Sequence, residues 1–179
     1  LIAAVDARLG TLRFVTSYEQ IRIPRATRYA GIVQERAPTW ANCPPIVSDG
    51  RVFVAPQDSQ DLLAIDIQTG VAQRVLTRTQ ADRFRYILGP FNHRICVAGR
   101  RVAFYNTETL ARDAQTTVGR DEIREGVQGW PVIDGNRLFA PTMFFGQPKM
   151  LIWDLDRLKL IADPTLTGEP RVPLLGNLV

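Results

Sequence analysis

His93 is the one histidine in a chain of 179 residues, and Cys43 and Cys96 are its two cysteines. Nucleophilic catalysis at neutral pH needs a base beside the nucleophile, so a Ser–His–Asp or Cys–His arrangement would have to run through His93. That residue lies in Gly89-Pro90-Phe91-Asn92-His93-Arg94, between two apolar runs, which suits a surface turn better than a catalytic base. One histidine and two distant cysteines also fall short of the four ligands of a structural zinc site. Asp58 and Asp61, in Pro56-Gln57-Asp58-Ser59-Gln60-Asp61, offer carboxylates to a calcium ion but lack a fixed ligand spacing. Asp6, Asp49, Asp66, Asp134 and Asp154 recur at matching places, and repetition points to turn formation rather than acid–base work. No glycine-rich phosphate loop is present. The expectation is a chain without catalytic residues, metal ligands or a cofactor.

The elements that carry these residues are repeats. Pro45-Ile46-Val47-Ser48-Asp49-Gly50-Arg51-Val52-Phe53-Val54 returns as Pro131-Val132-Ile133-Asp134-Gly135-Asn136-Arg137-Leu138-Phe139-Ala140, with a worn copy at 88–97. Arg51, Arg94 and Arg137 mark the register, each 43 residues from the next. A period of about 40–50 residues with several short strands per unit is the mark of a propeller blade. In the best copy the strands are 45–47, 51–55, 62–65 and 71–76, rich in Val, Ile and Phe and bounded by Gly, Asp and Pro. No long stretch keeps a helical apolar period. The fold class is therefore all-β, a β-propeller of four-stranded antiparallel blades.

The turn before the fourth strand gives a second register. It reads Asp6-Ala7-Arg8-Leu9-Gly10, then Asp66-Ile67-Gln68-Thr69-Gly70, Asn106-Thr107-Glu108-Thr109-Leu110 and Asp154-Leu155-Asp156-Arg157-Leu158. Asp or Asn can bond its own backbone two residues on, and a final Gly tolerates positive φ. Leu110 and Leu158 lack that tolerance, so those two turns are expected to differ in geometry. The census is the end of a blade at 1–16, an inter-blade insertion at 17–44, and whole blades at 45–76, 87–116 and 131–163. The start of another follows at 173–179. This is an incomplete arc of one domain, because propellers need about 4–8 blades to close. Its end faces require either the remaining blades of a longer chain or a protein partner.

Bulk numbers agree with a globular domain: 45% hydrophobic and 22% charged residues exclude general disorder. No apolar run approaches the length of a membrane-spanning helix, so no direct membrane span is expected. The net charge of +4 is almost all arginine, with lysine only at 149 and 159. The densest stretch, Arg22, Arg25, Arg28 and Arg36, is diluted by Glu19 and Glu35 and reads as a solvated loop, so no nucleic-acid partner is expected.

The phrase Pro-apolar-apolar-x-Asp-Gly-Arg-apolar-Phe-Val, followed by Leu62-Leu63-Ala64-Ile65-Asp66-x-x-Thr69-Gly70, resembles the pyrroloquinoline-quinone-type propeller repeat. That superfamily includes quinoprotein dehydrogenases, the lipoprotein of the outer-membrane β-barrel assembly machine, and kinase sensor ectodomains. In the dehydrogenases the motif ends in a Trp that docks neighbouring blades. Here Phe14 and Arg74 hold that position, and the adjacent cysteines of some of those enzymes are absent. The resemblance is therefore nearer to the non-catalytic assembly-lipoprotein-like members, which implies an extracytoplasmic or periplasmic location. A WD-repeat ending is mimicked once, at Leu151-Ile152-Trp153-Asp154-Leu155, without the Gly-His pair that would precede it.

Recognition is expected on loops, where a rigid scaffold usually places it. The stretch Pro141–Lys149 replaces the tight Ala98-Gly99-Arg100 turn of the preceding repeat and carries Met143, Phe144 and Phe145. Trp130 precedes a first strand, and Tyr29 and Trp40 lie in the 28-residue connection at 17–44, against 10 and 14 residues for the later two. Long connections are usually functional, and this one has room for an extra hairpin. The expected function is a non-catalytic interaction or scaffold module presenting these residues to a protein partner. The alternatives are part of a quinoprotein-like dehydrogenase or the ligand-sensing ectodomain of a receptor kinase.

Overall fold

The computed structural model describes residues 1–21, 40–79, 81–113, 126–127, 129–144 and 147–162. The chain forms two compact units, Leu1–Thr79 and Gln80–Val179. Among the described residues every regular element is a strand.

The first unit holds a hairpin and a four-stranded sheet. Strands β1 (Ile2–Val5) and β2 (Leu12–Thr16) pair antiparallel. Strands β3 (Ile46–Ser48), β4 (Arg51–Val54), β5 (Asp61–Asp66) and β6 (Ala72–Thr77) follow in sequence order across one sheet. Each turn is short enough to return the chain to its neighbour, so order in sequence becomes order in space. β5 is buried along Asp61–Ile65, and Phe53 and Leu62 are wholly inaccessible. The hairpin latches onto this sheet at Gly70. The Thr16 hydroxyl donates to the Gly70 carbonyl at 2.7 Å, and the Phe14 ring lies where a Gly70 side chain would be. Phe14 thus packs the first hairpin against the Gly70 turn of the next sheet. The opposite face of the hairpin, with Val5, Leu12 and Val15, is exposed.

The second unit holds a three-stranded sheet, β7 (Tyr86–Phe91), β8 (Arg94–Ala98) and β9 (Val102–Asn106). Arg112 bridges Tyr105 on its outer edge, where the fourth strand of this copy is expected; residues 114–125 lie outside the described set. A four-stranded sheet follows, β10 (Val132–Asp134), β11 (Arg137–Phe144), β12 (Gln147–Asp154) and β13 (Lys159–Ala162). The core of this unit gathers Phe84, Ile95, Val97, Val102, Phe104, Leu138, Trp153 and Leu155, all almost fully buried. Trp153 is therefore a core residue, and its neighbour Asp154 a turn former.

The copies share one register. Arg51 pairs with Asp66, Arg94 with Asn106 and Arg137 with Asp154. Beside each pair a backbone N–H of the later turn donates to the earlier one: Ile67 to Gly50, Thr107 to His93, and Leu155 to Asn136. The first turns are two-residue hairpin loops with left-handed backbone, Asp49-Gly50 (φ 47 and 72) and Asn92-His93 (φ 42 and 54). Such loops match the strand twist and favour Asn, Asp and Gly. His93 tolerates what Gly50 does freely.

The later turns are equivalent too, which corrects the expectation drawn from Leu110 and Leu158. In each turn a single side-chain oxygen of Asp6, Asp66, Asn106 or Asp154 accepts the N–H groups two and three residues on, at 2.8–3.0 Å. The fifth residue is left-handed in all four, Gly10 at φ 67, Gly70 at 73, Leu110 at 60 and Leu158 at 51. The side-chain cap and the flanking ladder hold the geometry, and the leucines accept a strained φ costing roughly 1–2 kcal/mol each.

Candidate functional site

The candidate catalytic residues are not brought together. His93 sits on its exposed hairpin turn, with Nδ1 3.9 Å from an exposed Glu108 carboxylate. Cys96 is fully buried in β8, and loss of hydration there pushes its thiol far above the ordinary range. Asp58 and Asp61 are spent on structure. The two Asp58 carboxylate oxygens accept from the Tyr18 hydroxyl at 2.8 Å and the Gln20 amide at 2.6 Å. The Asp58 carbonyl accepts from Ile21 N–H, and Asp61 accepts from the Thr77 hydroxyl at 2.7 Å. The Asp58 bonds pin the start of the long connection to the β4–β5 loop. Burial, with the Asp58 carboxylate second, raises the Tyr18 pKa.

The connection re-enters at Trp40, which is 1% exposed with the Arg78 guanidinium 6.0 Å from its ring centroid. Trp40 is thus an inward anchor, not a surface offered to a partner. The guanidinium lies over the ring where the sequence suggested a contact residue. Tyr29, Phe145 and the room for an extra hairpin lie outside the described residues.

The stretch Pro141–Lys149, expected to be a loop, is a hairpin extension. Pairing of β11 with β12 continues through Thr142–Lys149, Met143–Pro148 and Phe144–Gln147. The equivalent hairpin of the preceding copy ends at Ala98–Val102. Counted from the shared arginine, the longer hairpin adds three pairs, about 10 Å of ladder. Its two prolines lie beyond the stretches that pair with β10 and β13, where a strand can lack an N–H at little cost.

A short segment props this extension. Val127 bridges Thr142, and the Thr142 hydroxyl donates to the Gly126 carbonyl at 2.6 Å. Val127 N–H donates to the Gly99 carbonyl at 2.8 Å. Backbones here are in direct contact. A Cβ on Gly126 (φ 76) would come within 2.9 Å of the Arg100 Cα, and one on Gly99 would overlap the Arg83 carbonyl. Only glycine permits that approach.

Around the prop the surface combines aromatic and basic groups. Trp130 is half-buried and meets Tyr86 edge-on, with ring centroids 5.2 Å apart. The Arg85 guanidinium covers the Tyr86 ring at 5.7 Å. Arg101 binds the Asp82 carboxylate at 3.2 Å, and Arg100 N–H donates to the Asp82 carbonyl. Of the expected contact residues, Trp130 is half-buried beside Tyr86 and Met143 is half-buried on the extended hairpin. Arg83, Arg85 and Arg100, residues that no sequence motif marked, are exposed. The arrangement puts an edge of hairpin, aromatic rings and guanidinium groups beside close backbone contacts at Gly99 and Gly126.

No family model matches the chain, and no curated protein matches it. Among solved structures, BamB from Moraxella catarrhalis is similar over 93% of this chain and 47% of its own, at 19% identity and a TM-score of 0.57. A chain of the Mitotic Checkpoint Complex is similar over 89% of this chain and 50% of its own, at 15% identity and a TM-score of 0.50. The chain therefore spans about half the length of these structures. The shared register of the copies and these likenesses lead to one conclusion about architecture: this is an all-β chain of antiparallel sheets with a β-propeller fold similar to that of BamB.

Proposed function

We propose that this chain is a non-catalytic protein-interaction module that presents the extended β11–β12 hairpin and the surface around Trp130 to a protein partner. The single observation that carries the reading is the anchored extension. One copy of a uniform repeat is lengthened by three strand pairs, and Gly126–Val127 locks it in place. A rigid projection loses little entropy on binding, which favours recognition. The burial of Cys96 and the place of His93 on an exposed hairpin turn support this reading. By likeness of fold to BamB, the reading extends to a scaffold role in an extracytoplasmic assembly. The remaining blades of a longer chain stand beside a separate protein as candidates for covering the exposed face of Val5, Leu12 and Val15.

A photo-crosslinking residue at Met143, compared in the native host with one at exposed Thr109, tests the proposal. A discrete protein adduct from position 143 and none from 109 is expected. No adduct, or identical adducts from both positions, would remove the hairpin from consideration.

A further inference from the structure

One edge of β1 is open. Among the described residues its neighbour is β2 alone, whereas its counterpart β5 lies between β4 and β6. The capped turns set the correspondence, aligning Asp6 with Asp66 and so Val5 with Ile65. Asp6 N–H donates to the Thr11 carbonyl, towards β2. Backbone alternation then turns the N–H and C=O groups of Ala3 and Val5 to the open side. The Ala7 N–H belongs to the same edge. Its equivalents in the other copies, Ile67, Thr107 and Leu155, donate to Gly50, His93 and Asn136; no described carbonyl takes the one from Ala7. Strand edges are usually blunted by charge or proline, and Ile2–Val5 carries neither. Val5 is 56% exposed, and Ile65 is 1% exposed. The Phe14 and Thr16 contacts at Gly70 hold the hairpin in place, so this edge sits on a fixed base.

We propose that β1 takes up an antiparallel strand of the type Arg-Val-Phe-Val, supplied by the same polypeptide outside residues 1–179. The proposal concerns the first unit and goes beyond the reading of the β11–β12 hairpin; neither depends on the other. The three described copies give the strand's sequence by register. Opposite the Asp or Asn that opens the turn stands Arg51, Arg94 or Arg137. Opposite the residue before it, the counterpart of Val5, stands Val52, Ile95 or Leu138. Ala64, the counterpart of Ala4, faces Phe53, and Leu63, the counterpart of Ala3, faces Val54. Strand addition satisfies an edge through the main chain and leaves the alternate side chains to select the partner. The incoming arginine meets Asp6 as Arg51 meets Asp66, an opposite-charge pair across the ladder. In all three copies the equivalent strand comes from the same chain, and the similar solved structures are about twice as long as this one. A second copy of the chain is the less favoured occupant. Pairing β1 with itself about a two-fold axis, Ala3 opposite Val5, sets Asp6 opposite Ile2 and offers it no cation.

The probe is the free peptide Asp-Gly-Arg-Val-Phe-Val-Ala, the sequence of residues 49–55, titrated to its solubility limit against the isotope-labelled chain. Amide signals of Ala3, Val5 and Ala7 should shift together, and their hydrogen exchange should slow. In β4 the Gly50 carbonyl faces β5, and by alternation so do the Val52 and Val54 N–H groups. A peptide N-methylated at those two valines should bind at least about tenfold more weakly, and one N-methylated at its Arg and Phe should bind like the parent peptide. In the full-length protein of the native host, a photo-crosslinking residue at Val5 should form an adduct within one polypeptide, to a segment reading Arg-aliphatic-aromatic-aliphatic. No peptide binding, equal loss with both methylated peptides, or an adduct to a second copy, a separate protein or a segment of another pattern would each overturn the proposal. The β11–β12 reading, tested at Met143, is untouched by any of these results.

Discussion

The Phe14 ring occupies the space that a side chain at Gly70 would need, with Cγ 2.6 Å from the position of the missing Cβ. One residue's absence of a side chain is what lets the first hairpin seat on the next sheet. Gly70 also carries φ 73, so two requirements meet at one position. Gly10, at φ 67, has nothing within 4 Å of its missing Cβ and faces only the second requirement.

Gly70→Ala should therefore cost about 2–4 kcal/mol, from left-handed strain and overpacking together. Gly10→Ala should cost only about 1 kcal/mol. Urea unfolding of the two variants measures both. Equal losses would mean that Phe14 does not seat on Gly70.

Leu110 and Leu158 separate backbone strain from burial. Both are left-handed, but Leu158 is 5% exposed and Leu110 half-buried. Glycine relieves the strain at either position and gives up the leucine contacts. Leu110→Gly should stay within about 1 kcal/mol of the parent, and Leu158→Gly should lose roughly 1–3 kcal/mol. Thermal unfolding decides; the reverse ranking would show that the two turns are not built alike.

Acid should loosen the capped turns. Asp66 is held below the ordinary carboxylate range, first by the Thr69 N–H and then by the Thr69 hydroxyl; Asp6 is lowered first by the Leu9 N–H. The folded protein therefore binds these protons less readily than the unfolded chain. Their contribution is complete above about pH 4 and is lost as pH falls through the depressed folded values. Asn106 makes the same pair of bonds without a charge. An Asp6→Asn, Asp66→Asn variant should keep the fold and lose less stability than the parent between pH 5 and pH 2. Identical acid profiles would contradict the capping role.

The two thiols should differ in access. Cys96 is fully buried with its pKa pushed up by burial, and Cys43 is half-buried. A thiol reagent should label Cys43 first in the native protein and both after denaturation. Equal native rates would mean that β8 is not in the core.

Much of the framework was legible because its signals are local. An Asp or Asn two and three residues before its N–H partners, and Asn or Gly in a two-residue loop, act within a few bonds of the chain. Leu110 and Leu158 misled because local tolerance was outweighed by a cap and ladder that hold the turn from both sides. Pro141, Gly146 and Pro148 suggested a loop, yet the prolines fall beyond the stretches of β11 and β12 that pair with β10 and β13. Trp40 looked like a contact residue, but its burial against Arg78 depends on chain nearly forty residues away. Arg83, Arg85 and Arg100 escaped notice because they come from two separate segments, which hydrogen bonds around Asp82 and Ala98 bring together.

The central claim is that the copies share one register at the arginine end of each hairpin and diverge in length at the other. Backbone nuclear Overhauser contacts of the labelled chain test it directly. Cross-strand contacts should appear at Arg51–Asp66, Arg94–Asn106 and Arg137–Asp154 alike, and further contacts at Thr142–Lys149 and Phe144–Gln147 in the last hairpin alone. A one-residue slip in any of the three arginine pairs would turn that strand's faces over. That slip, or an unpaired chain at 142–149, would contradict the account.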